Sequence, residues 1–234
     1  MADRRRWLSM ESQSKFNKAI DLFLLDWTEF QSAVDVYREI KKEKFSAHVF
    51  DFFATTAVPT VDGLTKKLFN AMSILEALIG LNFCQEAAEP LLDAYNDYLA
   101  SEGLNSLEIS RESLLAFKQS MDTVLSNWSD FQTAAHMIEA HRRHDLASAI
   151  FRLLAKTAEP NVDGLAEEMH RVISNTLDGR IDSSNCKNAA QKLLDVHQRC
   201  LEEDFKTPLN LKGEGQSIKI CELISSAKAK KTLD

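Results

Sequence analysis

The chain is expected to fold as an all-α protein, a duplicated five-helix unit forming an α-solenoid or helical-repeat bundle with a C-terminal amphipathic helix. Three observations lead there. Only seven Gly and four Pro occur in 234 residues, too few for the tight turns of a many-stranded sandwich or barrel. Apolar residues recur at helical spacing along most of the chain, as in Phe16, Ile20, Phe23 and Leu24. The chain also repeats itself. The stretch from Asp26-Trp27-Thr28-Glu29-Phe30-Gln31 to Pro59-Thr60-Val61-Asp62-Gly63-Leu64 returns 101 positions later, from Asn127-Trp128-Ser129-Asp130-Phe131-Gln132 to Pro160-Asn161-Val162-Asp163-Gly164-Leu165. After one inserted residue, Cys84, Ala87, Ala88, Leu91, Leu92, Asp93 and Leu99 recur 102 positions on, as Cys186, Ala189, Ala190, Leu193, Leu194, Asp195 and Leu201.

Taken in order, a polar head (1–14) precedes a first repeat (15–102), a polar link (103–110), a second repeat (111–204) and a loop with a capping helix or tail (205–234). Residues 15–230 can equally form one continuous domain. The first helix covers Lys15 to Leu25. Asp26 and Asn127 are expected to cap the next helix, with Glu29 and Asp130 three residues on, because a short acceptor and a following carboxylate satisfy the open amides of a helix start. That second helix aligns Phe30, Ala33, Val34, Tyr37 and Ile40, and leaves Arg38, Lys41 and Lys42 off the stripe. A third, from about Ala47 to Ala57, aligns Val49, Phe50, Phe53 and Ala57 and stops before Pro59. Thr60 and Asn161 are expected caps of a fourth helix, which carries Leu64, Leu68, Leu75 and Ile79 and ends at Gly80 or Asn82. A fifth runs from about Gln85 to Ser101. The second copy repeats these elements, and Ser217 to Lys230, with Ile218, Cys221 and Ile224 on one side, forms the last helix.

Net charge is -7 and unevenly placed. Residues 15–102 hold 14 acids and 8 bases, residues 111–204 hold 15 and 11, and only the two ends are basic. A body that grips a nucleic-acid backbone usually carries a basic field, which this one lacks on average. No uncharged apolar run reaches the roughly 18–20 residues that span a bilayer, and Glu76 interrupts the longest, around Met72 to Gly80. No membrane association is expected, the N-terminus lacks the apolar middle of a secretory signal, and the expected location is the cytoplasm, with the nucleus as the alternative. Four cysteines without C-x-x-C spacing fit a reducing compartment.

Four features invite a chemical reading, and packing explains each more simply. Trp27 and Trp128 could stack a ligand, but a residue kept in both copies reflects what the copies share, a ring wedged at a helix entrance. Gly63 and Gly164 follow Val-Asp without the further glycines and the cation of a phosphate loop, so close backbone approach or a turn is expected. His136, His141 and His144 could hold a metal, yet spacing places no further ligand. Cys84 and Cys186, at equivalent positions, could form the thiol pair of an amino-acid racemase, but such thiolates need nearby cations or helix N-termini, and the flank Phe83-Cys84-Gln85-Glu86 gives acid instead. No nucleophile elbow, metalloprotease pair or nucleotide loop is present. The chain is read as a non-enzyme without cofactor or metal.

The segment Phe30-Gln31-Ser32-Ala33-Val34-Asp35-Val36-Tyr37-Arg38-Glu39-Ile40-Lys41-Lys42-Glu43-Lys44-Phe45 resembles the second helix of a pentatricopeptide or tetratricopeptide hairpin, and Asn82 to Tyr95 is similar. That resemblance implies paired antiparallel helices stacked into a superhelix, with RNA or peptide held on the inner face. The period of about 101 departs from the 34 or 35 of those families. The helical texture as a whole also resembles the helical C-terminal region of the testis- and ovary-specific PAZ-domain proteins, which are germ-cell factors. The expected function is therefore an interaction or scaffold domain that binds another protein. The alternative is an RNA-binding module acting after transcription, in germ cells by the second resemblance. Its contact residues would be Arg142, Arg143, Arg152 and Lys156, with His141 and His144 beside them, and the pairs Ile40/His141, Tyr95/His197 and Lys44/Asp145 mark where the copies diverge.

Overall fold

The computed structural model describes residues 10–103, 111–157, 159–177 and 181–206, with the side chains of 111–114 and 204–206 excepted. Among these residues the chain is all-helical, with eight α-helices: α1 (Met10–Asp26), α2 (Thr28–Thr55), α3 (Val61–Ala71), α4 (Leu81–Glu102), α5 (Arg111–Asn127), α6 (Ser129–Lys156), α7 (Val162–Leu177) and α8 (Ser183–Lys206). A 3-10 turn, Met72–Leu75, extends α3. The starts of α6 and α7 lie 101 residues after those of α2 and α3, and α8 starts 102 after α4.

Each copy thus has four helices in place of the expected five. The second and third expected helices are one, 28 residues long in α2 and again in α6. The polar run between the two apolar stripes contains neither Gly nor Pro, and it is a partly exposed helix surface. Pairs one turn apart, Arg38 with Asp35 at 2.9 Å and Lys42 with Glu39 at 3.0 Å, support it as helix. The expected C-terminal helix, Ser217 to Lys230, lies outside the described residues.

The helix starts also differ in detail. Asp26 and Asn127 end α1 and α5, so they are not the caps of α2 and α6. Trp27 and Trp128 are the single residues between the helices, and the Trp128 carbonyl accepts from the Gln132 amide at 3.1 Å, as a cap position does. The expected caps of the next helix do hold: the Gly63 amide donates to Thr60 Oγ1 at 3.2 Å and the Gly164 amide to Asn161 Oδ1 at 2.8 Å. The end of α3 differs, since the turn after it closes at Glu76 in the left-handed region (φ 57), and α4 begins at Leu81, directly after Gly80.

By contact density the described residues form two compact units. One comprises 29–145 with 175–177, and the other 10–28, 146–174 and 181–206. In the first, α4 packs on α3 and on α5. Phe53, Tyr95 and Phe117 form its aromatic centre, with ring centroids 4.7 to 5.2 Å apart. The buried Tyr95 hydroxyl has no hydrogen-bond partner there. Phe45 lies 4.9 Å from Phe131 and 6.5 Å from Trp128. In the second unit α8 packs on α1, and Phe16 meets the buried His197 edge-on at 5.1 Å and 62°. Phe16 corresponds to Phe117 and His197 to Tyr95, whose rings meet at 5.2 Å and 72°. The last helix of each copy therefore packs on the first helix of the other with the same ring pair. Many positions buried in one copy are buried in the other, among them Leu24 and Leu125, Phe30 and Phe131, Leu64 and Leu165, Cys84 and Cys186, and Leu91 and Leu193.

Candidate protein-docking surface

Glu76 organises the surface of the first unit. Its carboxylate oxygen Oε1 accepts from the Tyr37 hydroxyl at 3.1 Å, lies 3.1 Å from Lys41 Nζ, and accepts from Arg142. Arg142 also donates to the Tyr37 hydroxyl and to Asp145 Oδ2, each at 3.2 Å. Both cations lie over the Tyr37 ring, at 5.1 and 5.2 Å from its centroid. Lys41 and Arg142 are equivalent positions of the two copies, whereas Glu76 corresponds to Leu177, so one carboxylate present in one copy gathers a cation from each. Burial alone would raise the Glu76 pKa, but the hydrogen bond from Lys41, the charges of Arg142 and Lys41 and the Tyr37 hydroxyl hold it below the ordinary carboxylate value. Burial would likewise lower Lys41 and Arg142, and the partners outweigh it and raise both.

This clamp fixes the backbone just before an apolar knuckle. Beyond Glu76 the chain buries Ala77, whose amide donates to the Met72 carbonyl at 3.3 Å, and then turns Leu78 fully into solvent, 100 % exposed. Leu81 and Phe83 follow at 51 % and 41 %, and Phe69 on the adjacent α3 is also exposed. In the second copy Phe69, Leu81 and Phe83 are replaced by His170, Ser183 and Asn185, and Leu78 falls against Asp178-Gly179-Arg180. The knuckle belongs to one copy alone. So does the helix behind it: α4 carries Glu86, Glu89, Asp93, Asp97 and Glu102 and no Lys or Arg. The first four are exposed, and among the described residues no cation pairs with them.

The contact residues expected from the sequence all lie on α6. Arg142, 11 % exposed at its side chain, is committed to the Glu76 clamp, and Arg143 approaches Glu139 at 3.4 Å. His141 lies 3.6 Å from Asp145, and His144 is exposed. These four belong to the first unit. Arg152 and Lys156 are exposed in the second, where the Arg152 Nε donates to the Ser148 carbonyl at 3.4 Å. Among the described residues no three His, Cys, Asp or Glu side chains gather as a metal site. Cys84 and Cys186 are fully buried; burial, aided by Asp130 and Asp182 respectively, pushes both thiols up to about 11, so neither is a thiolate near neutral pH. Trp27 is buried, 5.9 Å from Phe23, and Trp128 stacks on Phe131 at 6.3 Å. A Cβ at Gly63 would meet Thr60 Oγ1 at 3.1 Å and the Phe52 ring at 3.2 Å, which is the expected close approach. An open groove of ≈ 470 Å³ runs along α5 past Leu115, Lys118 and Asp122, but Asp122 is already engaged by Ser46 at 2.7 Å.

The Glu76 clamp was legible only as an anomaly, a carboxylate inside an apolar run where the other copy has Leu177. Its partners at positions 37, 41 and 142 meet it through tertiary packing, which local spacing does not encode. The fold and surface define an all-helical protein with a one-sided apolar knuckle, and no described helix is long and apolar enough to cross a membrane. No family model matches the chain, and neither a curated protein nor a solved structure matches it.

Proposed function

We propose that the chain is a non-enzymatic helical interaction module that docks another protein on the knuckle of Leu78, Leu81 and Phe83. The observation that carries this is the exposure of these side chains in one copy where the other has polar residues. Shared positions serve the fold, whereas an apolar surface kept in one copy costs solubility and calls for a partner. We read the architecture as a duplicated four-helix unit in which the first helix of each copy covers the last helix of the other. That leaves neither terminal helix bare, as an open stack would. The protein reading draws further support from Arg142, whose engagement with Glu76 removes it from the set available to RNA phosphates.

The test is a panel of three labelled amphipathic peptides of helical Leu spacing, with neutral, acidic or basic flanks, titrated into the full chain by fluorescence anisotropy. Binding of at least one, lost in L78G/L81S/F83N at unchanged helicity and melting, is expected. If none binds up to millimolar concentration, or if the triple variant binds as well as the parent, the knuckle is not a docking site.

A further inference from the structure

Resting on that reading, we infer that the partner segment is a basic amphipathic helix, whose apolar side chains seat on Leu78, Leu81 and Phe83 while its Lys or Arg side chains run along α4. Phe83, Glu86, Glu89, Asp93 and Asp97 are spaced three, three, four and four residues apart, which puts them on one stripe of the helix. At 1.5 Å per residue the stripe is about 21 Å long, equal to about four turns of a partner helix. Pro90, exposed beside Glu89, has no amide to give the Glu86 carbonyl, so the stripe presents one more acceptor.

Charge complementarity selects the occupant. Five carboxylates without a base on α4, in a copy with 14 acids and 8 bases, repel an acidic segment and draw a basic one. At the matching positions of α8 the second copy has Asn188, Gln191, Asp195 and Arg199. Gln191 donates to Asp195 at 2.8 Å there, so the corresponding face is neutral and partly self-satisfied. Acidic stripe and apolar knuckle are absent together from the second copy and present together in the first, with the knuckle at the N-terminal end of α4 and the carboxylates along it. A partner that reads both needs apolar anchors at one end of its contact and cations along the rest.

The experiment uses the same full chain with the Leu/Lys peptide and its Leu/Glu counterpart. The Leu/Lys peptide is expected to bind at least tenfold more tightly, and E86Q/E89Q/D93N, three exposed substitutions, to weaken it about tenfold. Raising salt from 50 to 500 mM should weaken the parent more than that variant. If L78G/L81S/F83N abolishes binding while the neutralised stripe and the peptide's charge change nothing, the knuckle docks a partner and this inference is wrong. Sedimentation closes the other route: a concentration-dependent dimer abolished by L78G/L81S/F83N makes a second copy of the chain the occupant and overturns the basic-helix inference.

Discussion

Replacing Arg142 with Met tests whether the Glu76 clamp holds the first unit together. The substitution keeps most of the apolar stem and removes the donors to Glu76, Tyr37 and Asp145. Hydrogen bonds to charged groups contribute about 1.5–3 kcal/mol each. Glu76, 23 % exposed at its side chain, keeps Lys41 and Tyr37, which puts the loss near the lower bound, at about 2 kcal/mol. Glu76→Leu, the residue of the second copy, removes the carboxylate and leaves Arg142 with Tyr37 and Asp145. The double variant should lose less than the sum of the two, with a coupling of about 1–2 kcal/mol. Urea unfolding at pH 7 of the four proteins measures this, provided the slope with denaturant is unchanged. The sign with pH follows from the depressed Glu76 pKa. Its contribution is complete above the ordinary carboxylate value and is lost as pH falls through the lower folded-state value, so the coupling should shrink in acid. A coupling under about 0.5 kcal/mol at pH 7 would class the pair with exposed surface ion pairs and refute the clamp.

Burial holds His197 below its ordinary pKa, so its neutral form supports the fold in full above about pH 6.5. That support is lost as pH falls from there through the lowered value; His197→Phe should flatten the acid limb of a stability-against-pH curve, and an unchanged limb would count against a buried neutral imidazole. Gly63 and Gly164 occupy matching positions but not matching space. Gly164→Ala, with only Asn161 Oδ1 at 3.4 Å, should stabilise by about 0.5 kcal/mol, whereas Gly63→Ala, pressed on Phe52, should be neutral or destabilising in the same thermal melts.

The helical class, the Thr60 and Asn161 caps and the buried stripe of Phe30, Ala33, Val34 and Tyr37 were readable because each depends on spacing within a few residues. The fusion of two expected helices into α2 was missed for a related reason. A charged run between two apolar stripes reads as a break, while the ion pairs that make it a helix surface lie three residues apart inside that same run. Ile40 against His141 and Lys44 against Asp145 lie on the same helix turns as Lys41 and Arg142, and Asp145 accepts from the Arg142 that reaches Glu76. The carboxylate itself, 66 positions from Arg142 in sequence, could not be paired by periodicity.

Glu76 connects what the copies share to what separates them. A non-glycine residue in the left-handed region costs roughly 1–2 kcal/mol, and Glu76 is the only such residue among those described. A glycine would remove that strain, so the carboxylate must supply something glycine cannot. Three donors from α2 and α6 converge on it, and their hydrogen bonds can offset a penalty of this size. The strained residue thereby ends the helical path at Leu75, and the chain buries Ala77 before exposing Leu78. In the second copy Leu177 is buried at the end of an uninterrupted α7. A clamped carboxylate at the position where the other copy buries a leucine thus closes the turn after which Leu78 is exposed.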